Sequence, residues 1–129
     1  MRFEYRFFEG SFLPLIPIKL KGKEEWVELI AFIDTGASYS LFHADVAEIL
    51  GFKLEEGELT EMVLGDGNKL KVYLHNIEIS IANKNFIAVI GFSNGIGIGF
   101  YIVGRKTIFD KFLVIFNEKQ RWIEFKPLD

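Results

Sequence analysis

The sequence predicts an all-β fold with one or two short helices, and three observations predict it. Apolar residues recur at every second position along most of the chain, the period of a strand with one buried face. Gly, Asn and Asp interrupt these runs at short intervals, as they do where the strands of a closed or folded-over β domain reverse. Helical spacing is best developed in one short stretch, Ala44 to Leu50. The 129 residues, half of them hydrophobic, make a single domain, 1–129, with a real core.

The elements follow in order. Arg2 to Phe8 alternates polar and aromatic residues, a half-buried strand. Leu15 to Leu20 places Ile16, Ile18 and Leu20 on one face, and Pro14 and Pro17 start that strand at a sheet edge. Lys21-Gly22-Lys23 turns the chain, and Trp26 to Ile33 returns as a buried strand that delivers Asp34. Ser40-Leu41-Phe42 is a short apolar piece. Ala44 to Leu50 is a helix with Val46, Ile49 and Leu50 on one side and Gly51 as its stop. Phe52 to Glu58 is a polar connector.

Thr60 to Leu64 and the alternation Leu70, Val72, Leu74 form a hairpin around Gly65-Asp66-Gly67-Asn68, where Asp-Gly supplies positive φ cheaply. Ile77, Ile79 and Ile81 alternate again, Ala82 to Asn85 turns, and Phe86 to Phe92 returns. Phe100 to Val103 is a further strand ending at Gly104, Arg105 to Lys111 is a short helix, and a last hairpin joins Phe112–Phe116 to Arg121–Phe125. Asn85 to Gly104 carries no charge and is long enough to span a bilayer. Its mid-segment Ser93, Asn94 and glycines instead fit two buried strands joined by a Gly-rich loop, so no membrane is expected.

Composition excludes several function classes. A net charge of -3 with Lys and Arg scattered among Glu offers no basic stripe, so no nucleic acid partner is expected. There is no cysteine, which removes disulfides, thiol nucleophiles and thiolate metal sites and fits a reducing, cytoplasmic setting. His43 and His75 stand far apart without an acid cluster, so neither a metal nor a cofactor is expected. Frequent Glu, Lys and Ile with little Gln lean towards a heat-adapted source. The glycines from Gly95 to Gly99 lack phosphate-loop spacing and precede a strand instead of a helix.

The motif that carries chemistry is Asp34-Thr35-Gly36-Ala37-Ser38. A carboxylate straight after a buried strand is costly unless it is used or well paired, and the small residues behind it permit a tight turn with exposed amides. With Ile102-Val103-Gly104-Arg105 downstream and the Gly65–Asn68 hairpin between, the chain resembles the retropepsin family, the retroviral-type aspartic proteases and their cellular relatives, from about Leu15 to about Phe116. The stretch Phe42 to Gly51 is similar to the helix of cellular members, and Met62 to Tyr73 looks like the flap over substrate.

The resemblance implies a retropepsin-like acid protease barrel. It implies that Asp34 is general acid and base, that Thr35 fixes the dyad, and that Gly36, Ala37 and Ser38 complete the loop. It implies that Gly65, Asp66, Gly67 and Asn68 form the flap, that Phe100 and Ile102 line an apolar subsite, and that Gly104 and Arg105 are structural. Retroviral enzymes usually carry an acid at the position of Ser38 to pair with that Arg, so Arg105 is expected to lack this partner. No other Asp of the chain repeats the context of Asp34, so the implied enzyme is a homodimer acting on extended apolar peptides. The alternative is a catalytically silent dimerisation or peptide-binding module on the same fold.

Overall fold

A computed structural model describes residues 1–63, 66–96 and 101–129. The alternating runs become strands whose apolar positions face one core. The hairpin of β4 (Leu15–Lys21) and β5 (Trp26–Ile33) is in register from Leu15↔Phe32 to Lys21↔Trp26, and it buries Ile16, Ile18 and Leu20. Its turn closes through the Gly22 amide on the Glu25 carbonyl at 2.8 Å. Pro17 is tolerated because the far side of β4 pairs with another strand only at Lys19 and Leu20.

β6 (Ser40–His43) leads straight into α1 (Ala44–Leu50). Imidazole Nδ1 of His43 caps the helix by accepting from the Asp45 amide at 3.1 Å. Gly51 ends it with φ of 87°, a left-handed conformation that costs glycine little. The polar connector after it contains a 3-10 turn at Leu54–Glu56.

β7 (Glu58–Val63) and β8 (Lys69–Ile81) form the next hairpin, and β8 continues into pairing with β9 (Lys84–Ser93). The two alternating runs of β8 are therefore one strand with a change of buried face. Leu70 and Val72 are buried at its start, and Ile77, Ile79 and Ile81 at its end. The spacing from Val72 to Ile77 puts these sets on opposite faces of a regular strand. The late set joins the main core. Val72 instead packs over Gly91, where an added Cβ would stand 2.7 Å from Val72 Cγ1.

β10 (Tyr101–Val103) lies parallel to β5 and antiparallel to β6. Among the described residues, the order β4–β5–β10–β6–β9–β8 returns to β4 and makes a ring of strands, with β7 outside it on β8. A separate sheet joins β1 (Arg2–Glu4), β12 (Trp122–Pro127) and β11 (Phe112–Asn117), in that order. It closes the core from below with Phe112, Ile123 and Phe125.

Two expectations are corrected, and one element is added. Arg2 to Phe8 is not one strand: it breaks at Tyr5, whose ring turns into the core and whose hydroxyl donates to Glu118 at 2.7 Å. The residues after the break form a small hairpin of β2 (Arg6–Phe8) and β3 (Ser11–Leu13), the latter unforeseen, through a turn in which Glu9 and Gly10 both have positive φ. The helix expected over Arg105 to Lys111 contracts to a 3-10 turn at Phe109–Lys111. Thr107 interrupts it with φ of 63°, a conformation no α-helix accommodates.

Candidate active site

Asp34 follows the last residue of β5, and the neighbouring strand holds it there. Its amide donates to the Val103 carbonyl of β10 at 3.0 Å, and its carbonyl accepts from the Ala37 amide at 3.3 Å. One carboxylate oxygen, Oδ1, accepts from the Gly36 amide at 2.9 Å. The side chain is half-buried, while Thr35, Gly36 and Ser38 are exposed. The arrangement fixes one oxygen of a carboxylate through the backbone beside a strip of open main chain.

The second landmark packs against this loop. The Gly104 amide donates to the buried Ser40 hydroxyl at 3.0 Å. A Cβ on Gly104 would stand 2.5 Å from the Tyr39 carbonyl oxygen and 2.9 Å from that of Ala37, so only glycine fits this approach. The Arg105 amide bonds the Ala37 carbonyl at 3.0 Å, and the Lys106 amide bonds that of Ser38 at 2.8 Å. Among the described residues the exposed Arg105 guanidinium makes no ion pair. A side-chain tether exists one position further along each segment, where Lys106 Nζ donates to the Tyr39 hydroxyl at 3.1 Å and lies 4.6 Å from its ring centroid. Sequence reasoning missed this pair because it looked for an acid and an arginine.

Asp34 and Thr35 line a groove of about 340 Å³ together with Phe12, Leu13, Phe32, Phe116 and Glu118. Phe12 and Leu13 come from the unforeseen β3, and Phe116 and Glu118 from the end of β11 and the turn beyond. The hydroxyl of Tyr5, the residue before β2, donates to Glu118 of one wall at 2.7 Å. Burial pushes that hydroxyl well above the ordinary tyrosine range, and the hydrogen bond to Glu118 and its negative charge push it further. Ile102 is paired between Phe32 and Leu41 and is not a wall of this groove. Phe100, expected beside it, lies outside the described residues.

The β7–β8 hairpin is in register through Met62↔Leu70 and Val63↔Lys69. In its turn Asp66 accepts from the Asn68 amide and from the Asn68 side chain, both at 2.9 Å, and Gly67 takes φ of 86°. Gly65 lies outside the described residues. Val63 is 72% exposed, so the hairpin carries an apolar side chain into solvent. A larger cavity of about 600 Å³ reaches the catalytic-type loop only through Tyr39 and is lined also by Glu56, Glu58, His75, Lys106 and Thr107. Its volume is not a reason to prefer it, because Asp34 is not among its walls. No group of metal-ligating side chains occurs among the described residues, and no helix among them is long and apolar enough to cross a membrane.

Comparison with known proteins places this geometry. A family model described as aspartyl protease matches residues 16–91. A retropepsin-like aspartic protease from Rickettsia conorii superposes with a TM-score of 0.67 at 20% identity, covering 100% of this chain and 94% of that one. The EIAV protease complexed with the inhibitor HBY-793 gives 0.58 at 16% identity, over 81% and 93% of the two chains. The retroviral protease-like domain of Ddi1 from Leishmania major gives 0.62 at 14% identity, over 91% and 94%. No curated protein sequence matches the chain. The matched stretch holds the Asp34 loop and the β7–β8 hairpin and spans more than half of the sequence: the chain belongs to the aspartyl protease family and has a retropepsin-like fold.

Proposed function

We propose that the protein is an aspartic endopeptidase that works as a homodimer, each chain supplying one Asp34. The observation that carries this reading is the half-site itself: a backbone-anchored carboxylate after a strand whose end is buried at Ala31 and Ile33, in a groove, with no second strand-Asp-Thr-Gly sequence in the chain. Peptide hydrolysis by this route needs two carboxylates around one water. Two such groups about 3 Å apart do not both ionise cheaply, so the pair holds one proton between them.

In the proposed reaction the ionised Asp34 takes a proton from water as its oxygen bonds to the scissile carbonyl carbon. The protonated Asp34 of the partner subunit donates to the carbonyl oxygen. The tetrahedral adduct then collapses: the C–N bond breaks, the amine leaves with a proton, and the dyad is again singly protonated. Thr35 bonds across to the partner's loop, and Gly36 lets the substrate backbone approach. The hairpin from Gly65 to Asn68 covers an extended peptide and excludes water. The apolar subsite that the family resemblance assigns to Phe100 and Ile102 is proposed to lie beyond the Asp34 groove, of which Ile102 is not a wall, and it favours large apolar residues at the cut.

The test is cleavage of an apolar peptide library across pH by wild type and Asp34→Asn. Turnover best below neutral pH and lost in the variant supports the proposal. Turnover that survives the substitution refutes it. Ser38, and an Arg105 guanidinium without an ion pair among the described residues, favour one other reading, a silent peptide-binding module. That reading expects binding without a fragment ladder at any pH.

A further inference from the structure

We infer that the β2–β3 hairpin is a docking surface for a second copy of this chain, with Phe7 and Phe12 as its anchors. The inference rests on the proposed two-chain site and says what holds the two chains together. A two-stranded hairpin standing alone is marginal in water, and β2–β3 forms a sheet of its own. It nevertheless presents Phe7 at 64% and Phe12 at 41% exposure. The two rings meet edge to face at 5.1 Å, and the Arg121 guanidinium lies 4.0 Å from the Phe12 ring. Rigid aromatic groups backed by arginine are what interface anchors are made of.

The position of the hairpin selects the occupant. Phe12 and Leu13 are walls of the same groove as Asp34 and Thr35. A copy that brings its own Asp34 against this one therefore covers the mouth of that groove and meets the hairpin. Around a two-fold axis the contact is isologous, so each hairpin serves both subunits. The strands at the two ends of the chain are partly engaged within it, with β1 and β11 at the outer edges of their three-stranded sheet. β1 pairs with β12 of its own chain, the Met1 amino group donates to the Phe125 carbonyl at 2.8 Å, and the Phe125 amide donates to the Met1 carbonyl at 2.9 Å. Among the described residues, the hairpin is the element that brings an exposed aromatic ring, Phe12, to the groove of Asp34.

The test is sedimentation over a concentration series for wild type, Asp34→Asn and the double variant Phe7→Ser/Phe12→Ser, with cleavage measured on the same samples. Wild type and Asp34→Asn are expected to dimerise equally. The double variant is expected to weaken the dimer about a hundredfold, as loss of paired aromatic anchors does. Should it fold poorly, Phe7→Lys alone makes the same test at the more exposed ring. Hydrogen exchange at residues 6–13 of wild type should also lose protection on dilution. An unchanged dissociation constant, or a wild type that is monomeric at every concentration, overturns the inference. A dimer that depends on the hairpin but cleaves nothing sustains the inference and sinks the protease reading. Asp34-dependent cleavage by a dimer indifferent to the hairpin does the reverse.

Discussion

The Asp34 loop and the turn of the β7–β8 hairpin are both Asp-containing bends after a strand, yet they are built in opposite ways. The loop is tied to remote strands: Asp34 to Val103, Arg105 to Ala37, Lys106 to Ser38, and Gly104 to Ser40. The described part of the hairpin turn bonds to itself, Asp66 to Asn68. Long-range bonds fix a group in space, whereas local bonds fix only its own shape. Under the proposed mechanism, a carboxylate that must meet another at hydrogen-bond distance needs the first kind of support, and a cover that opens and closes needs the second.

That contrast can be broken hardest at Gly104. Gly104→Ala forces a methyl group against two carbonyl oxygens of backbone, so a loss of about 2–4 kcal/mol in denaturant unfolding is expected, with activity lost alongside. Ser40→Ala leaves the buried Gly104 amide without its acceptor. This should cost about 1–3 kcal/mol by the same measurement. An equal loss from Asp66→Ala would show that the two bends are not differently supported.

Asp66→Ala and Asn68→Ala should instead leave the unfolding midpoint nearly unmoved and change KM by about threefold to tenfold with peptide substrate, since they alter the proposed cover and not the half-site. Lys106→Met removes the tether to Tyr39. Exposed pairs contribute little to stability, so its effect should be confined to a small loss of kcat. The Tyr5–Glu118 contact behind the groove offers the mildest probe. The Tyr5 hydroxyl ionises later in the folded chain than its ordinary value of 10.0. The unfolded chain therefore releases that proton first, and the stabilisation, complete below pH 10, declines as pH rises beyond it. Tyr5→Phe should flatten that decline in a pH series of thermal melts.

The same division explains what could be read without coordinates. The β4–β5 hairpin, α1 with its Gly51 stop, and the Asp-Gly turn each depend on residues within one or two turns of chain. Their signals are complete in the local sequence. The split at Tyr5 was illegible because its cause, Glu118, lies at the other end of the chain. Phe12, Leu13, Phe116 and Glu118 carried no catalytic signal, since being walls of a groove is a property of how hairpins pack. The helix expected after Gly104 failed at Thr107. Its positive φ accompanies a hydroxyl that accepts the Val89 amide and donates to the Lys106 carbonyl, and no periodicity reports such bonds.

By itself the sequence determined the all-β class, the place of Asp34 behind a buried strand and the kinship of its motifs, because alternation and turn chemistry act over a few residues. Only the tertiary structure decided that β10 enters between β5 and β6, that β8 exchanges its buried face midway, and that Lys106 and Tyr39 stand where an ion pair was sought. The physical reason is one of range. Strand insertion, face exchange and tethering are settled by which distant segments compete for the same core, and local spacing holds no record of that competition.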